Sequence, residues 1–217
     1  DFETEPNDDR FTADQLSMLE GTPGLLSGFA HGEVDSDNSD FFTFSALAGD
    51  QVSIAVDSEY LGFDPQVVFR NSAGGQLLQD SNSGPDRSSL TSVFTVETTG
   101  QFYAEVLGQN TSEAGAYELR VDIAREIQLE SDANYFNDSF ATANALNYIN
   151  SGNIRNASIA GTLMEAENSN RDEDLFRLGL LNAGMTLTLS TATPTSSSVS
   201  PIVEVVNGNG EVVADGD

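Results

Sequence analysis

Glu3, Glu5 and Asn7 alternate along the first segment of the chain, with Asp8 beside them. In an extended backbone alternate residues share one side, about 7 Å apart. Their oxygens can therefore converge on one hard cation if the segment curls around it. Calcium takes six to eight oxygen ligands, more than this segment supplies. Further carboxylates, Asp35, Asp37 and Asp40, arrive directly ahead of the apolar stretch FFTFSALAG at 41–49. They do not form an EF-hand loop: the sixth position, which should be glycine, is Asp40, and the twelfth, which should be glutamate, is Ala46. Asp37 and Asp40, three apart, instead suit a site that a second segment completes, and Glu3 to Asp8 is the candidate.

Other chemistries find little here. His31 is the single histidine and there is no cysteine, so a nucleophile would have one available base and no thiolate. No G-x-S-x-G elbow places a serine. Asp172 and Asp174 sit on an acidic loop where neither is expected to be desolvated, which suits ligation better than acid–base work. The chain reads as non-enzymatic, with any catalytic domain lying outside it. Asn110, Asn137 and Asn156 begin N-x-S/T triplets that read as chance matches.

The acidic loop and strand recur. DSDNSDFFTFSALAG at 35–49 is repeated by DEDLFRLGLLNAG at 172–184, with Asp40 matching Asp174, Phe42 matching Phe176 and Ala48-Gly49 matching Ala183-Gly184. At 217 residues the chain thus divides into two units, 1–125 and 126–217. A hydrophobic fraction of 38%, spread in short runs, gives each unit a core, and the longest runs are too short to cross a bilayer. The net charge is −27 and all eight cationic residues are arginine. Such a field repels nucleic acid and anionic membranes, attracts divalent cations and keeps the protein soluble in salt. Much of it reads as a solvated acidic surface. Without disulfides or thiolate metal sites, stability must come from the core, with metal open as a further source.

The elements that hold these carboxylates read as strands. Residues 11–19 suggest a short helical turn, and Gly21 to Gly32 a glycine-punctuated loop and strand. Alternating patterns then predict strands at Phe41–Ser45, Gln51–Val56, Pro65–Arg70, Gln76–Leu78, Leu90–Val96, Gln101–Leu107 and Ala116–Ile123. Turns are expected at Asn71–Gly74 and, as its counterpart, at Asn207–Gly210. The aromatics of Gly100-Gln-Phe-Tyr and of Gly115-Ala-Tyr117 are expected in the core. Strands of this number and spacing indicate an antiparallel β-sandwich.

Glu5-Pro-Asn7-Asp8, Asp37 to Phe44, Ala48-Gly49, Asn71 to Gly74 and Gly115-x-Tyr117-x-Leu119, in this order and spacing, resemble the bacterial pre-peptidase C-terminal domains, which are similar to the collagen-binding domains of clostridial collagenases. The resemblance implies an all-β fold of two tandem antiparallel jelly-roll-like β-sandwiches, appended to secreted proteases and other exported proteins for substrate attachment and solubility. Calcium-binding members pair an E-x-E-x-N segment with two aspartates three apart. Glu3, Glu5, Asn7, Asp37 and Asp40 match that pattern, and one calcium is expected there.

The second unit departs from it. Aligning Asn137-Asp138 with Asn7-Asp8 sets Ala133 and Tyr135 opposite the two glutamates and Arg171 opposite Asp37, which predicts a weakened site. A shifted site using Glu130, Asp132, Asp172 and Asp174 is the alternative.

The reading is a calcium-stabilised accessory or binding module of an exported bacterial protein, secreted or at the cell surface, with an extracellular protein or polysaccharide as partner and no nucleic acid or membrane insertion. The chain begins at Asp1, so it reads as a mature or trimmed product. The alternative function is a structural subunit of an extracellular fibre or adhesin. The repeat motivates it: the first copy continues from Gly74 to Ile123, whereas the second has seven residues after Gly210. The second sandwich is accordingly expected to be incomplete at its C-terminal end, either truncated or completed by strand exchange with another molecule.

Overall fold

The computed structural model describes residues 1–58, 62–167, 171–194 and 197–215. The first unit contains β1 (Asp14–Gln15), β2 (Leu19–Thr22), β3 (Leu25–Val34), β4 (Ser39–Ala46), β5 (Gln51–Ser58) and β6 (Pro65–Asn71). It continues with β7 (Gln76–Asp80), β8 (Ser89–Leu90), β9 (Phe94–Thr95), β10 (Gly100–Gly108) and β11 (Gly115–Ala124). A 3-10 turn at Pro85–Arg87 is the one helical element among the described residues, and none of their helices is long and apolar enough to cross a membrane.

Two sheets form, ordered β1-β4-β10-β6-β7 and β2-β3-β11-β5-β8, with β9 also on β5. All pairings are antiparallel except β1 with β4. Period-two alternation explains how the sheets meet. In β11 the residues Tyr117, Leu119, Val121 and Ile123 are buried while Glu118, Arg120 and Asp122 are only half-buried on the other face. β4 and β6 contribute Phe42, Phe44, Val67 and Phe69 to the same core. Phe44 stacks on Phe69 at 5.9 Å between ring centroids, and Phe94 meets Phe69 edge-on at 5.4 Å. Each such side chain contributes about 1.5–3 kcal/mol by leaving water, so β4 and β11 are held firmly.

The seven strands read from the sequence are present, with Leu90–Val96 split into β8 and β9 where Thr91 turns its hydroxyl to Ile54 N. The helical turn expected at 11–19 is not there. Gln15 and Leu16 follow the edge of β4 instead: Leu16 N donates to Thr43 O at 2.9 Å and the Gln15 amide to the same carbonyl at 3.0 Å. These tertiary bonds outweigh a weak local helical preference. Gly74 and Gly210 both take the left-handed conformation (φ 86° and 82°) and close their turns onto Asn71 O and Asn207 O.

The second unit has β12 (Gln128–Leu129), β13 (Asn144–Ala145), β14 (Ile149–Ser151), β15 (Ile154–Asn156), β16 (Ile159–Ala160), β17 (Phe176–Arg177), β18 (Glu204–Val206) and β19 (Val212–Asp215). They pair two by two: β12 with β16 and β13 with β17 in parallel, β14 with β15 and β18 with β19 as hairpins. Many large apolar side chains there are exposed, Leu180 and Ile202 to about four-fifths.

Candidate metal centre

The segment before β1 bridges the two sheets at one end. Its first residues run beside β3, with Glu3 N donating to His31 O at 3.0 Å. Further on, Phe41 N donates to Asn7 O at 2.9 Å, which ties the segment to β4 in the opposite sheet. Glu3, Glu5 and Asn7 are thereby delivered over Asp40, the second residue of β4.

One oxygen each from Glu3, Glu5 and Asp40 lies within 4.8 Å of the others. Asp40 and Asn7 are fully buried. Tyr117 donates its hydroxyl to Asp40 Oδ2 at 2.7 Å and lies 3.1 Å from Glu3 Oε2. Glu33 N donates to Glu3 Oε1, and Asn7 N to Glu5 Oε2. No ion pair among the described residues neutralises the three carboxylates. Asp40 Oδ1 and both amide atoms of Asn7 are buried without a hydrogen-bond partner. Burial, followed by repulsion from Glu3 and Glu5, pushes the Asp40 carboxyl up to about 8, against the pull of the Tyr117 hydroxyl.

Buried polar atoms left unpaired and like charges held together both cost free energy. A divalent cation relieves the repulsion and satisfies the two unpaired oxygens, Asp40 Oδ1 and Asn7 Oδ1. The donor set of three carboxylates and an amide oxygen suits a hard cation such as calcium. Gly32 sharpens the fit, because a Cβ there would collide with the Glu3 carboxylate and the Tyr117 hydroxyl. Of the five residues expected from the sequence, four meet here. Asp37 stands apart: it is exposed, at a left-handed turn (φ 66°), and its carboxylate is not in the cluster.

Around Asp174 the same contacts recur. Asp132, Asp172 and Asp174 each place an oxygen within 4.8 Å of the others. Glu130 N donates to Ala160 O as Glu3 N does to His31 O, and Leu175 N donates to Asn137 O as Phe41 N does to Asn7 O. Thr162 N binds Glu130 Oε1, Asn137 N donates to Asp132 Oδ1, and Met164 N binds Asp172 Oδ2. Asn137 is fully buried. Its Nδ2 donates to Asp174 Oδ1 at 3.2 Å and its Oδ1 has no partner. Burial, then the charge of Asp174, raises Glu130 to about 9. Burial, then Asp172, raises Asp132 to about 8. A Cβ on Gly161 would strike the Glu130 carboxylate, as one on Gly32 would strike Glu3.

The expectation that Ala133 and Tyr135 stand where the first cluster has its glutamates is therefore corrected: Glu130 and Asp132 do. The run from Asp132 to Asn137 is three residues longer than that from Glu5 to Asn7. Its surplus is looped out through Asn134 and Tyr135, both left-handed (φ 61° and 52°). Asn137, Tyr117 and the two close-packed glycines were not read as parts of these sites. Allowing that insertion in the alignment keeps Asn137 opposite Asn7 and brings Glu130 and Asp132 opposite Glu3 and Glu5.

The family model of the bacterial pre-peptidase C-terminal domain matches residues 38–123. That span contains Asp40 and Tyr117 and stops short of Glu3, Glu5 and Asn7. No curated protein matches the chain. Among solved structures, the pre-peptidase C-terminal domain of a Bacillus anthracis collagenase is similar at 18% identity, over 55% of this chain and 99% of that one, with a TM-score of 0.38. Aeromonas hydrophila PliG, a periplasmic inhibitor of g-type lysozyme, is similar at 12% identity over 51% and 95% of the two chains, with a TM-score of 0.40. Residues 38–123 of this chain are a bacterial pre-peptidase C-terminal domain.

Proposed function

We propose that this chain is a calcium-stabilised, non-catalytic accessory module of an exported bacterial protein. The observation that carries the reading is the meeting of Glu3, Glu5 and Asp40 with Asn7, without a counter-charge and with the buried oxygens Asp40 Oδ1 and Asn7 Oδ1 left open. The family of residues 38–123 supports an accessory role, since such domains attach or solubilise the exported proteins that carry them. The second unit is a related copy, and its cluster of Glu130, Asp132, Asn137, Asp172 and Asp174 takes a second calcium. The module's partner is an extracellular protein. Calorimetric titration with calcium tests this: the parent takes up calcium with a rise in melting temperature, and Asp40→Ala loses one site. A parent whose melting curve is unmoved by chelator sinks the reading.

Assembly through the second unit is a second reading, favoured by the exposed apolar side chains Leu180, Ile202 and Val213. Surfaces of this kind mark contacts between chains, and a second copy is the occupant. Light scattering showing a monomer at all concentrations would exclude it.

A further inference from the structure

Among the described residues, hydrogen bonds join the two units in two places besides the segment that connects them. The joining segment is fixed by itself: Arg125 binds both oxygens of Asp50 at 3.0 and 2.8 Å, its N–H donates to Gly24 O, and Leu129 N donates to Gln51 Oε1 at 2.7 Å. The first further contact is made by the looped-out surplus between Asp132 and Asn137. Asn134 N donates to Ser83 O at 2.7 Å and Asn134 Nδ2 to Ser83 Oγ at 2.8 Å. Ser83 is itself held, its N and Oγ both bound by Asp80. The second contact is from Arg120 Nη2, on β11, to Thr162 Oγ1 at 3.2 Å.

Both contacts land on backbone that carries the second acidic cluster. Asn134 lies between Asp132 and Asn137, and the Thr162 N–H is bound to Glu130. That cluster is more than a group of acids, because the fully buried Asn137 directs an amide into it with Oδ1 unpartnered. A cation in the cluster would hold these two segments at fixed positions, and in the structure they face Ser83 and Arg120.

We propose that cation loading of the Glu130–Asp132–Asn137–Asp174 cluster locks the two units against each other, through Asn134 on Ser83 and Thr162 on Arg120. The proposal rests on reading this cluster as a cation site. Because coupling between binding and docking is reciprocal, loss of the two contacts weakens cation binding at the second site and leaves the first site alone.

The test uses the whole chain and calcium. Asn134→Gly keeps the left-handed backbone, and Thr162→Val keeps the N–H to Glu130; neither removes a candidate ligand. Titration calorimetry assigns the second site as the binding lost in Asp174→Asn. The expected result is that the Asn134→Gly/Thr162→Val double variant weakens that site by at least about fivefold with the site lost in Asp40→Asn unchanged. The chain has no cysteine, so dyes on Gln101→Cys and Asn153→Cys report the distance between the units. Calcium is expected to narrow that distribution in the parent and not in the double variant. Unchanged affinity, or a distribution blind to calcium, overturns the coupling while the site stands. If Asp174→Asn removes no calcium binding, the cation reading itself fails and the coupling with it.

Discussion

Tyr117, on the central strand of one sheet, donates its hydroxyl to Asp40 of the other sheet at 2.7 Å, so the floor of the acidic cluster is a bond between the two layers of the sandwich. Both groups are buried, and Tyr117→Phe leaves Asp40 Oδ2 without its donor. A buried acceptor losing its partner costs about 1–3 kcal/mol. Denaturant unfolding in chelator should show a loss of this size, with the calcium response retained though weaker, since Glu3, Glu5, Asn7 and Asp40 Oδ1 all remain.

Asp40→Asn should separate folding from binding. Removing one charge from three that repel each other, and offering an amide donor to Glu3 and Glu5, relieves the cation-free protein. Its melting temperature in chelator should rise. The same change takes a charged ligand from the site, so added calcium should raise it by less than in the parent, where a hundredfold excess over Kd contributes about 2.7 kcal/mol. Thermal melts with and without calcium read both effects; a variant that is less stable in chelator and still fully responsive would place the cation elsewhere.

The pH dependence should invert with calcium. Burial raises Asp40 and Asp132 to about 8 and Glu130 to about 9, from ordinary carboxyl values near 4. Between those limits the folded, cation-free protein holds protons that the unfolded chain has lost, so stability falls as pH rises. It should be greatest below about pH 4 as far as these groups are concerned, and decline through pH 8 to 9. Calcium requires the ionised forms and expels those protons. Denaturation series from pH 5 to 9 should therefore slope downward in chelator and flatten or turn upward in saturating calcium.

Much of this was legible in the residues. The alternation in Gln51–Val56 and Ala116–Ile123 specified both a strand and its buried face, because period two leaves a chain one way to bury its apolar half. The meeting of Glu3, Glu5, Asn7 and Asp40 was legible from spacing. Asp37 was not separable from them, since nothing in a three-residue interval says that the backbone turns left-handed there and carries the carboxylate outward. In the second unit the three-residue insertion hid the match, as an ungapped alignment can satisfy Asn137 or Glu130 but not both. Long-range contacts such as Tyr117 on Asp40, 77 residues apart, leave no local trace.

Salt should act separately from calcium. A net charge of −27 repels itself over distances that monovalent salt screens to about 8–10 Å at physiological ionic strength. The melting temperature in chelator should climb with sodium chloride, and the Asp40→Asn variant should climb in parallel. A flat response up to molar salt would mean that the charges are too dispersed to oppose folding.

The two glycines offer the most selective test of the two clusters. Gly32 and Gly161 sit where a neighbouring segment brings a glutamate carboxylate against the backbone, Glu3 at the first and Glu130 at the second. Neither has a left-handed φ, so alanine is tolerated by the backbone and the added methyl acts only by displacing what it meets. In Gly161→Ala that is the Glu130 carboxylate, whose movement breaks its bond from Thr162 N and withdraws one oxygen from the second cluster. Calcium titration should then show the second site weakened or lost and the first intact. Gly32→Ala should do the reverse, with an added loss of stability in chelator because the methyl also crowds the Tyr117 hydroxyl that Asp40 depends on. If both alanine variants bind calcium as the parent does, these glutamates are not ligands, and the cation is held without the segments that precede Asn7 and Asn137.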